Sequence, residues 1–113
     1  MVARVPAHVE VAGLIRAVQS AGGFAAVIQK GERDSGTILV VSVENGANMR
    51  IFERMPDIDG NRIWVQTKYQ DPDNKQEIQN YLDRRAVQDL DMWIVELDIA
   101  DGERFIELKP ATG

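Results

Sequence analysis

The chain has 113 residues, no cysteine, one histidine, and 13 basic against 18 acidic side chains, for a net charge of −5. That inventory excludes disulfides, thiolate nucleophiles, Cys-based zinc or iron–sulfur sites and, within one chain, a His-rich metal centre or a Cys–His dyad. The acidic balance, with Arg84–Arg85 as the only basic doublet, points away from duplex nucleic acid.

Pro6 sets the start of a first helix over 7–21, because proline is tolerated in a first turn. Val11, Leu14, Ile15 and Val18 follow helical spacing, and Glu10 suits the positive end of the helix dipole. Gly22–Gly23 ends it. A short strand follows over 24–30, then a polar loop over 31–36. The segment 37–44, TILVVSVE, is a β-branched strand apolar on both faces, and so central. Asn45–Gly46 is a hairpin signal leading to a strand over 49–55, which Pro56 closes. After a turn over 57–61 comes a strand over 62–69.

A second helix spans 74–87, with Ile78, Leu82 and Ala86 as its apolar stripe and Tyr81 beside it. Asn74 with Glu77, or Asp73 with Gln76, forms its capping pair, and Arg84 and Arg85 lie in its last turns. The segment 91–99, DMWIVELDI, is a strand covered on most of both faces. Trp93, Val95, Leu97 and Ile99 share one face, the core; Ile94, Glu96 and Asp98 share the other, which ends in solvent. Asp101 caps a final short helix through Arg104, Phe105 and Ile106, and the tail 109–113 frays.

The order implies a single α+β domain over 1–113: a helix, a four-stranded antiparallel meander, a helix, a fifth strand and a short C-terminal helix. The helices are expected to pack over one sheet face. The crossover helix lets the last strand pair in parallel with a neighbour. No apolar run approaches the ~20 residues of a membrane span, and the first residues carry no apolar signal core, so a cytoplasmic location is expected.

Several short pieces taken together resemble a known family. They are PAHVEV (6–11), GGFAAVIQKG (22–31), Glu53–Arg54, Trp64, LDMWIVELDI (90–99) and ERF (103–105). The chain resembles, nearly end to end, the alphaproteobacterial domain of unknown function numbered 1491. The resemblance implies a small soluble bacterial protein. It carries over no catalytic or binding residues, since that family has no assigned activity.

Among candidate chemistries, Glu96 and Asp98, with Asp101 near them in sequence, could hold Mg²⁺ or Ca²⁺. A solvated strand end is the simpler reading, because ligand spacing is missing. A nuclease-like site would draw on Glu53, Gln66-x-Lys68 and Glu10, but Gln66 stands where an acid is needed. His8 has no nucleophile elbow to serve, and no phosphate loop is present. Trp64, Trp93, Phe52 and Tyr69 could line a ligand pocket with Glu53 and Arg54 as polar anchors, although strand aromatics are more often core. The expectation is a non-enzymatic protein-interaction module, a homodimer or one binding a protein partner, without cofactor or metal. The candidate binding residues are Glu53, Arg54, Trp64, Glu96 and Asp98. The alternative is a small-ligand-binding domain or a metal-assisted hydrolase built on Glu53, Glu96 and Asp98.

Overall fold

A computed structural model describes residues 5–56 and 58–106; the expected frayed tail, 109–113, lies outside them. Helix α1 (Ala7–Ser20) begins at Pro6. Its first backbone N–H groups are met by a distant loop: Ala7 donates to the Asp34 carbonyl (3.0 Å) and His8 to that of Arg33 (2.9 Å). These bonds satisfy donors that every helix start leaves unpaired. Val11 and Val18 are buried, with Leu14 and Ile15 packed beside them. Gly22 ends the helix at φ +91°, a conformation that favours glycine.

The strands are β1 (Phe24–Gln29), β2 (Ile38–Glu44), β3 (Ala47–Pro56), β4 (Arg62–Tyr69) and β5 (Trp93–Asp98). Helix α2 (Lys75–Gln88) precedes β5, and a 3₁₀ helix (Gly102–Phe105) follows it. The expected four-stranded meander is corrected. The five-stranded sheet has the order β1-β5-β2-β3-β4, so only β2, β3 and β4 form a meander. Strand β5 lies between β1 and β2, antiparallel to the first and parallel to the second, making the sheet mixed. Burial explains the insertion. Trp93, Ile94, Val95 and Leu97 of β5 are all at most 5% exposed, whereas Phe24, Val27 and Ile28 of β1 are exposed. The more apolar strand takes the centre, because each fully buried large side chain is worth about 1.5–3 kcal/mol.

The expectation of helices over one face is also corrected. Helix α1 and the 3₁₀ segment cover Ile38, Val40, Phe52, Trp93, Val95 and Leu97. Helix α2 covers Leu39, Val41, Val43, Ile51 and Ile94 on the opposite face through Ile78. A central strand apolar on both sides needs cover on both sides, and β2 is such a strand.

The loop between β1 and β2 is stitched to the start of β5. The Trp93 indole N–H donates to the Glu32 carbonyl at 2.7 Å, and the Glu32 N–H to the Asp91 carbonyl at 2.8 Å. A Cβ on Gly31 or Gly36 would lie 2.3 Å from the Asp91 carbonyl oxygen, so both positions need glycine for this approach. The expected side-chain caps are not formed. Asn74 is the N-cap of α2 without a side-chain bond, and Asp101 precedes the 3₁₀ helix likewise, at φ 52°.

Candidate functional site

Among the described residues Glu53 is the buried acid, 6% exposed on β3 and facing α2. Four donors meet its carboxylate. Arg85 reaches Oε1 through Nε (3.2 Å) and Nη2 (2.8 Å). Thr67 Oγ1 donates to Oε2 at 2.8 Å, and the Tyr81 hydroxyl donates to the same oxygen. Tyr81 and Arg85 are i and i+4 on α2, so they project from one side of the helix. Thr67 is placed by a bulge: Ile51 pairs with Lys68 and Phe52 with Gln66, leaving Thr67 as the extra residue of β4. Burial pushes the Glu53 carboxyl up, but the bonds from Tyr81, Arg85 and Thr67 together hold it below its ordinary 4.5. The Tyr81 hydroxyl is pushed up, first by burial and then by the carboxylate beside it. With its oxygens engaged by side chains of α2 and β4, Glu53 is a clamp between helix and sheet rather than a free base.

Arg54 lies on the opposite face. It pairs with Glu10 of α1 at 2.8 Å, and its guanidinium sits 4.7 Å from the Trp64 ring centroid. The sequence-adjacent Glu53 and Arg54 therefore belong to separate clusters, as do Glu53 and Glu10 of the nuclease-like reading. Arg50, on the same face as Arg54, bridges Glu103 (2.6 Å) and Glu44 (3.3 Å), tying the 3₁₀ helix to the β2–β3 hairpin.

Asp98 accepts the Asn45 N–H at 2.7 Å, pinning the hairpin turn to the end of β5. Glu96 instead lines a cleft of about 190 Å³ between α2 and the sheet. Gln79, Leu82, Asp83 and Ala86 form its helical wall; Ile28, Gln29, Val41 and Ile94 contribute from the strands. Among the described residues, no group of three or more His, Cys, Asp or Glu side chains is arranged to hold a metal ion. Of the five residues singled out in the sequence, Arg54 and Trp64 meet each other; Glu53, Glu96 and Asp98 occupy three separate settings. Tyr81, Thr67, Arg85, Gln29 and Asp83 were not singled out. The spacing of Tyr81 and Arg85 beside the apolar stripe of α2 was the available signal for two of them.

The family model described as "Protein of unknown function (DUF1491)" matches residues 5–107. No curated protein matches the chain. A DUF1491 family protein from Caulobacter crescentus CB15, seen in a crystal structure at 1.87 Å, is 32% identical, with a TM-score of 0.78 over 90% of this chain and 94% of that one. The NMR structure of a DUF1491 family protein from the same organism gives 32% identity and a TM-score of 0.75, over 89% and 91% of the two chains. The solution structure of protein Atu0922 from A. tumefaciens is 27% identical, with a TM-score of 0.70 over 88% of this chain and 89% of that one. The match over nearly the whole chain, with the same fold at 32% identity, places this protein in the DUF1491 family.

Proposed function

We propose that this chain is a self-associating interaction module that works in the cytoplasm, its partner being a second copy of itself joined through β1. The observation that supports this is the character of that edge strand. Its sequence, FAAVIQ, has no charge and no proline, and Phe24 and Ile28 are 77% and 59% exposed. Edge strands are ordinarily guarded by charge, proline or cover, because they offer backbone groups to another strand. The other edge, β4, carries Arg62 and Lys68. Two uncharged β1 strands can meet antiparallel about a two-fold axis without opposing like charges, even at a net charge of −5.

Sedimentation velocity over a wide concentration series tests the reading. The wild type should sediment as a dimer, and Val27→Lys, which places a cation on the edge, as a folded monomer. A monomeric wild type, or a Val27→Lys protein that dimerises equally well, would overturn it. The hydrolase reading has less support, since the Glu53 carboxylate is engaged by Tyr81, Thr67 and Arg85.

A further inference from the structure

We infer that the cleft between α2 and the sheet is a binding site for a primary alkylammonium group, with the Glu96 carboxylate and the outer oxygen of Asp83 as its acceptors. Its walls are apolar: Ile28, Val41, Met49, Leu82, Ala86 and Ile94. Its polar groups are unbalanced. The Gln29 side-chain amide donates to the Asp89 (3.1 Å) and Met92 (2.9 Å) carbonyls, leaving its oxygen as an acceptor. Gln79 donates to Asp83 Oδ1 at 3.1 Å, leaving Oδ2. Among the described residues no donor bonds the Glu96 carboxylate, and no lysine or arginine lines the cleft.

A slot with apolar walls whose free acceptors are the Glu96 carboxylate, Asp83 Oδ2 and the Gln29 oxygen, against one spare N–H of Gln79, complements a cation that only donates, carried on a short apolar stem. An alkylammonium has three N–H donors and no acceptor. A volume of about 190 Å³ has room for a stem of a few methylenes. The same chemistry is offered by a free amine and by a lysine side chain. Ile28 of β1 borders the cleft, but the two carboxylates that carry the inference lie on β5 and α2.

The test is NMR titration of the ¹⁵N-labelled full chain with n-butylammonium, with n-butanol and butyrate as neutral and anionic controls. Butylammonium should give saturable shifts confined to the amides of Ile28, Gln29, Leu82, Ala86 and Ile94, and the two controls weaker ones. Glu96→Gln should weaken binding about tenfold, as expected for loss of one charge-assisted contact. Asp83→Asn, at an exposed position, should weaken it as well, and it carries the test if Glu96→Gln does not fold. Nα-acetyl-lysine methylamide separates the sources: binding of both probes assigns the site to a lysine side chain, and binding of butylammonium alone to a free amine. Equal shifts with butanol, shifts centred elsewhere, or an affinity unchanged in the folded carboxamide variants would overturn the inference.

Discussion

Removing the Glu53 carboxylate should show how much of α2's docking depends on one acid. In Glu53→Ala the Tyr81 hydroxyl, the Thr67 hydroxyl and both Arg85 donors lose their acceptor at a position only 6% exposed. Breaking a buried ion pair by removing one partner costs about 3–5 kcal/mol. The Arg85 side chain is 28% exposed, so water recovers part of its loss. The expected cost is therefore about 3 kcal/mol, at the lower end of that range. Against a total stability of roughly 5–15 kcal/mol, this is a large fraction. Urea unfolding of wild type, Glu53→Ala, Tyr81→Phe and the double variant forms the cycle. Tyr81→Phe alone should cost about 1 kcal/mol, and little more once Glu53 is gone. A Glu53→Ala protein within about 0.5 kcal/mol of wild type would refute the clamp. The pH dependence has a defined sign. The folded carboxyl titrates below its ordinary 4.5, so its contribution is complete above that pH and is lost as pH falls through the folded value. Glu53→Gln should flatten that acid loss.

Trp93→Ala should cost about 3–5 kcal/mol in the same assay, because the ring is 5% exposed in the α1-side core; a neutral result would contradict its burial. Glu32, whose carboxylate accepts the Ser35 and Asp34 N–H groups, is held down to about 2 by those bonds. Its order in the loop should therefore persist above pH 4.5 and be lost toward pH 2, as an NMR titration of its side-chain carboxyl would read; a midpoint near 4.5 would contradict the loop geometry. Gly36→Ala should destabilise by more than about 1 kcal/mol, since its new Cβ meets backbone rather than a movable side chain.

The elements were legible in the sequence because each is locally encoded. The apolar spacing of α1 and the β-branched run of β2 placed those elements within a residue or two of their ends. The inside–outside reading of β5 holds, with Trp93, Val95 and Leu97 on the α1 side and Ile94 on the α2 side. Strand pairing was less legible, because β1 and β2 are neighbours in sequence while β5 competes for both from across α2. The two-faced burial of β2 already required cover on both sides, and that requirement outweighs the simpler packing of helices on one face. The Glu53 cluster was hidden for a similar reason: Tyr81 and Arg85 lie 28 and 32 residues away, and Thr67 reaches the carboxylate only through a bulge. The Asn74 cap was a local signal not realised; Asp71 instead accepts the Asp73 N–H in the preceding turn.

The most direct measurement of self-association through β1 is an isotope-filtered NOE experiment on a mixture of ¹³C,¹⁵N-labelled and unlabelled chains. The account predicts contacts between the Phe24–Gln29 strand of one copy and the same strand of the other. Intermolecular contacts confined to α1, α2 or β4, or none at a concentration where a dimer sediments, would contradict it.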